Sequence, residues 1–165
     1  AEYLALIEKL RSRIPGIAIR STFIAGFPSE TEEEAEALAR FLREAKLTNC
    51  GFFAYSREPE TPAYKLPGQI PAREKNRRVK MLYKVQREIS KEFLRGKVGQ
   101  TVDVLCDGID YEREQFVGRA YWSAPEIDGK VYFNAPFAEQ GEVYKVKIAR
   151  ADSYDLYGAT EDYKK

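Results

Sequence analysis

Histidine is absent from this sequence, and cysteine occurs only twice, at Cys50 and Cys106. Without histidine, the commonest general base and the commonest metal-binding side chain are both gone. Zinc and iron–sulfur sites need several closely spaced ligands. Neither cysteine belongs to such a set, so the chain cannot build one by itself. One disulfide between the two is formally possible, but each sits in an apolar, strand-like run, which suits a buried thiol. Long apolar runs are missing too: no window approaches the roughly 18 residues that a membrane-spanning helix requires. The opening AEYLALIEKLRSR scatters charge through its apolar positions and has no signal-peptide core, so a cytoplasmic setting is expected. That stretch reads as an amphipathic helix cut from something longer.

What is present suffices for a real core, since 44% of the 165 residues are hydrophobic and 13% aromatic. The length fits one medium domain or two small ones. A net charge of +1 conceals a split: residues 1–96 balance at +5 and residues 97–165 at −4. Two units with different partners are implied.

The first half alternates helix and strand. Tyr3 to Arg13 carries apolar residues at helical spacing, and Pro15 with Gly16 ends the run. Ile17 to Phe27 is β-branched and apolar enough for a strand buried on both faces. Ser29 with Glu32 forms a capping-box signature, and Ala35, Leu38, Leu42 and Ala45 line one face of the helix it opens. Asn49 to Tyr55 reads as a second buried strand. A proline-rich stretch (Pro59, Pro62, Pro67, Pro71) precedes one long amphipathic helix, Ala72 to Arg95, with apolar residues at 82, 85, 89 and 93. Beyond Gly96 the pattern becomes short runs of period-2 alternation at 101–106, 115–121, 130–134, 142–148 and 154–157, separated by Gly, Asp and Pro. Five such strands suggest a small barrel of the OB type. The fold class expected is therefore α/β followed by all-β, with domains 1–96 and 97–165. Two strands and three helices cannot close a barrel, so the first domain reads as part of a larger one whose strand edge would be paired. Edge-strand self-association is the expected consequence.

The stretch IPGIAIRSTFIAGFPSETEEE resembles the fifth strand and following helix of the radical-SAM barrel of the methylthiotransferases. FFAYSREPETPAYKLPGQIP resembles the sixth strand with its trailing loop, and REKNRRVKMLYKVQREISKEF resembles the last barrel helix. Residues 97 to about 160 are similar to the appended TRAM domain. Two departures stand out: Ser29 and Glu60 occupy positions where the family usually has glycine, which would permit a positive φ. Of the family's two main branches, one modifies an adenosine of transfer RNA and the other an aspartate of a small-subunit ribosomal protein. GRAYWSAPEIDGKVY (118–132) and ADSYDLYG (151–158) resemble the second. The barrel's acidic balance agrees, since an RNA-binding barrel should be basic and ribosomal proteins are themselves strongly basic.

The resemblance implies an enzyme with S-adenosyl-L-methionine and two 4Fe–4S clusters, one of them on a CxxxCxxC motif. Those cysteines are not in this sequence, so the chain alone is expected to hold no cluster and to be inactive. It also implies that Ile24 and Gly26, partly matching a GXIXGXXE pattern with Glu30 one position late, and Phe53, Ala54 and Tyr55 at the end of the next strand, face the adenine of the cofactor. The alternative for these residues is plain core packing. Arg20, inside an apolar run, pairs with a barrel carboxylate or contacts ligand. The helix 73–97 bears ten lysines and arginines, either a solvated face or a contact for ribosomal RNA. Tyr121 and Trp122 are adjacent, so at least one ring should be exposed. With Glu126 and Asp128 they are the candidate contacts to a basic ribosomal protein.

Overall fold

In the computed structural model, residues 2–163 are described. Contacts divide the chain between Ile89 and Ser90 into two compact units. The first contains α1 (Glu2–Arg13), β1 (Arg20–Ala25), α2 (Glu32–Ala45), β2 (Asn49–Ala54) and most of α3 (Ala72–Arg95). The strands pair in parallel, Arg20 opposite Asn49 through Ala25 opposite Ala54. Phe23, Ala25 and Phe52 point to one face, where Ala39 and Leu42 of α2 meet Leu82, Val85 and Ile89 of α3 in the core.

The other face is open. Ile24 and Phe53 are register partners and are 58% and 61% exposed. The strand expected to be buried on both faces is thus covered on one, because in a two-stranded sheet only the helical side finds apolar partners. Arg20 is exposed at the start of β1 and not enclosed in an apolar strand. The helix start is also corrected. Thr31, not Ser29, caps α2, with Glu34 completing the capping box. Ser29 has φ +67°, whereas an N-cap needs extended backbone.

The second unit is a closed five-stranded barrel: β3 (Thr101–Asp110), β4 (Gln115–Arg119), β5 (Val131–Asn134), β6 (Val143–Ala151) and β7 (Leu156–Thr160). Their order around the barrel is β3-β4-β5-β7-β6, with β6 returning to β3 and only β5–β7 parallel. That is the OB arrangement. Val102, Val104 and Cys106 alternate inward on β3 and meet Phe133, Val146, Ile148 and Leu156, all buried. The last strand begins at Leu156, two residues later than its apolar pattern suggests. Asp152 Oδ1 accepts from the amides of Tyr154 and Asp155, both at 2.8 Å, and this turn takes those residues out of the strand. Both cysteines are free thiols, Cys106 buried and Cys50 half-buried. Burial pushes the Cys50 thiol up to about 11 against a smaller opposing effect of a backbone hydrogen bond from Ser21, so it stays protonated.

Candidate cofactor face and docking loops

At the C-terminal end of the two parallel strands, polar groups fix the backbone tightly. The Gly26 amide donates to Glu30 Oε1 at 2.9 Å, and the same oxygen receives Arg78 Nη1 at 2.6 Å. Arg78 also donates to the Glu30 carbonyl at 2.9 Å and to Glu74 at 3.0 Å, and it is buried. Burial disfavours its charge, but the hydrogen bonds to Glu30 and Glu74 outweigh that and raise its pKa. Hydrogen bonds from Arg77 and then Arg78 pull the Glu74 carboxyl down to about 2. Lys75 Nζ donates to the Tyr55 carbonyl at 2.7 Å, and the Lys75 stem packs where a Gly26 Cβ would sit, 2.3 Å from Cγ. With φ +78°, position 26 admits only glycine in practice.

Of the residues expected at the cofactor, Ile24 and Phe53 lie side by side on the open face, and Arg20 lies on that same face at its far end. Ala54 points to the helical side, and Gly26 and Tyr55 follow the strands. Tyr55 is buried beneath Phe27, ring centroids 5.2 Å apart, and its hydroxyl has no hydrogen-bond partner. An exposed apolar pair and an unpaired hydroxyl at one end of a parallel sheet fit a flat, polar-edged base. Among the described residues, no group of three or more Cys, Asp or Glu side chains could hold a metal ion. Glu30, Lys75 and Arg78 are the residues missed as a set, since their roles depend on α3 lying beside the β1 turn.

In the barrel, Tyr121 is 68% exposed while Trp122 is buried. Trp122 packs edge-on against Phe93 at 5.4 Å, with Lys97 above both rings. It belongs to the core of its unit, and the expectation that it contacts substrate is withdrawn on that ground. Glu126 is exposed with φ +62°. Asp128 is committed to its own loop, Oδ2 accepting from the Ala124 amide at 2.6 Å. The two runs that carry the branch resemblance meet here. Lys130 donates its amide to Asp155 Oδ1 at 2.8 Å, and Gly129 passes so close to the Tyr154 carbonyl that a Cβ would lie 1.7 Å from it. Tyr157 donates to Asp152 Oδ2 at 2.9 Å and stacks on Tyr132 at 5.5 Å. The result is a double loop tied by these contacts and presenting Tyr121, Glu126, Ile127 and Tyr154, all exposed, without Trp122. Ile127 and Tyr154 were not singled out from the sequence, because nothing in the spacing brings positions 129 and 154 together.

Residues 98–160 match the TRAM domain family. Nearly the whole chain is similar to proteins named ribosomal protein uS12 methylthiotransferase RimO. The Clostridium botulinum protein is 46% identical over 157 residues, 94% of this chain and 35% of that protein. Those of Desulforudis audaxviator and Shigella sonnei are 47% and 43% identical, over 92% and 94% of this chain and 33% and 35% of their own lengths. Over nearly all of its length the chain is thus similar to one part of these methylthiotransferases, and residues 98–160 form a TRAM domain. The chain spans about a third of the length of the curated relatives it matches. Within that third, a TRAM barrel follows a β/α segment whose open sheet face is consistent with a partial radical-SAM barrel. No helix among the described residues is long and apolar enough to cross a membrane.

Proposed function

We propose that this chain is the substrate-docking portion, with part of the cofactor wall, of a radical-SAM enzyme that adds a methylthio group to an aspartate of a small-subunit ribosomal protein. The observation that carries the proposal is the double loop: residues 121–129 and 152–155 lock together through Lys130, Asp155 and Gly129 on an acidic barrel. A pre-formed surface loses little entropy on binding, so its exposed Tyr121 can act as an anchor while carboxylates steer a basic partner. The names of the relatives, which specify uS12, support the same partner. Bound in the whole enzyme, S-adenosylmethionine and 4Fe–4S clusters would supply the radical and sulfur chemistry that an unactivated carbon requires. For this chain's own part, Ile24 and Phe53 form an apolar wall, and the Glu30–Arg78 pair holds the strand end beside it. The setting implied is the cytoplasm, where ribosomes are built.

Fluorescently labelled uS12 and transfer RNA, titrated against the chain at two salt concentrations, test this reading. uS12 is expected to bind more tightly. Tyr121→Ala should weaken it by about 2 kcal/mol as an anchor residue. Glu126→Lys should slow association and flatten its salt dependence. Asp128 is left alone because its carboxylate closes the loop. Tighter binding of transfer RNA at physiological salt, with Glu126→Lys leaving uS12 unaffected, would move the chain to the RNA-modifying branch.

A further inference from the structure

The hairpin between β3 and β4 meets the residues behind the double loop only through Arg113, which lies over Tyr132, and its tip is a chemically distinct surface of the barrel. Its tip carries Asp110, Glu112 and Glu114 against a single cation, Arg113. Asp110 Oδ1 accepts from the amides of Glu112 and Arg113, both at 3.1 Å, and Glu114 completes the turn with φ +52°. Arg113 is drawn onto the outer face of the sheet. Its guanidinium lies 4.5 Å from the centroid of Tyr132, and its carboxylate partner is Asp110. Glu112 and Glu114 make no ion pair among the described residues.

Beside this tip is a cavity of about 330 Å³, lined by Ile109, Tyr111, Glu114, Gln115 and Phe116. Its floor is firm, because Phe116 stacks at 5.7 Å on Phe133, which is fully buried in the barrel core. Ile109 is the register partner of Phe116 and stays 46% exposed, while Tyr111 is 83% exposed. Gln115 is turned to Asn134, with 3.3 Å between its amide nitrogen and the Asn134 side-chain oxygen. What remains is an apolar floor, an aromatic ring without packing partners around most of its surface, and one carboxylate.

The geometry points to a docking cavity for a lysine or arginine side chain from an extended segment of a partner protein. The aliphatic stem would lie on Ile109 and Phe116, the cation would meet Glu114, and the Tyr111 ring would close over it. Barrel mouths and cavities of this size are favoured ligand sites, and the carboxylate turns phosphate away. This inference rests on the proposal that the partner is a basic protein, and it places a second contact on that partner.

The chain, labelled with nitrogen-15, would be titrated with a short peptide of alternating lysine and glycine, with the same peptide acetylated on every lysine, and with a single-stranded uridine oligomer. Amides of residues 109–116 are expected to shift with the lysine peptide and not with the other two probes. Glu114→Gln should weaken that binding roughly five-fold and Tyr111→Ala by a comparable factor, with the melting temperature unchanged. Shifts confined to other residues, equal binding of the acetylated peptide, preference for the uridine oligomer, or full affinity in both variants would each overturn the assignment. uS12 binding that perturbs 121–129 and 152–155 but leaves 109–116 silent sinks the cavity and spares the function. A hairpin that takes the peptide in a chain that ignores uS12 does the reverse.

Discussion

Ser29 has φ +67° and Glu60 φ +69°, both in the left-handed region that favours glycine, and both are positions where the resemblance in sequence implies glycine. An L-residue pays about 1–2 kcal/mol in that region, whereas glycine loses about 0.5–1 kcal/mol of extra chain entropy on folding. Glu60 is exposed, and no hydrogen bond of its side chain offsets the strain. Glu60→Gly should therefore stabilise the first unit by about 0.5–1 kcal/mol. Ser29→Gly should gain less, because the Ser29 hydroxyl donates to the Pro67 carbonyl at 3.3 Å and would be lost. Urea denaturation gives the answer as a raised midpoint at constant slope. A lowered midpoint for Glu60→Gly would show that its side chain does something the contacts do not reveal. Both residues were legible as departures, since a pattern broken at a glycine is visible in sequence. Trp122 was not legible. The strand expected to run to Tyr121 ends at Arg119, so the two rings lie in a turn with their centroids 5.0 Å apart, and it is Phe93 that covers Trp122.

At the level of elements, β1 and α2 show what local sequence can and cannot specify. The helical stripes of α2 and α3 fixed those elements closely, because burial on one face is written into every turn, whereas the alternation on β3 gave only 101–106 and the strand continues past the irregularity between Cys106 and Gly108 to Asp110. Element ends were less legible. Thr31 and Ser29 both look like caps, and the choice falls to the turn that ties Ser29 to the Gly68 carbonyl at 2.9 Å. The link between elements that matters most, α3 to the end of β1, runs through the cluster of Arg78, Glu30, Glu74, Arg77 and Glu32. It was invisible because its members lie far apart in the chain. Its pH behaviour follows from sign. The Glu74 carboxyl titrates at about 2 in the fold against an ordinary value of 4.5, so its contribution is whole above pH 4.5 and fades as pH falls through about 2. Glu74→Gln should therefore be less stable than the parent at neutral pH, with the gap narrowing below pH 4.5 and closing near 2. Thermal melts of the two proteins across that range measure it. A gap independent of pH would mean that the substitution costs packing rather than charge.

On the scale of the whole molecule, the open sheet of the first unit is the feature with the largest consequence. β1 and β2 pair only with each other, so among the described residues no strand lies beside the outer edge of β1, while that of β2 is partly capped by Tyr83, whose hydroxyl accepts from the Phe52 amide at 3.4 Å. Beside those edges Ile24, Phe27 and Phe53 are 58%, 44% and 61% exposed. An unpaired parallel edge flanked by apolar side chains is a template for another copy, and no lysine or proline on β1 blunts it. The barrel offers no such edge, because its five strands close on themselves. Self-association is therefore expected through the first unit alone. In sedimentation velocity, the chain should move from monomer to dimer as concentration rises. A Phe53→Lys and Ile24→Lys double variant should stay monomeric and keep its melting temperature, since neither side chain belongs to the core. Salt tells this mode from a charge-driven one: apolar edge pairing strengthens as salt rises, whereas attraction between the +5 and −4 halves of two copies would weaken. A parent chain that stays monomeric at high concentration, with slow amide exchange throughout Arg20–Ala25, would show that the edge is already protected.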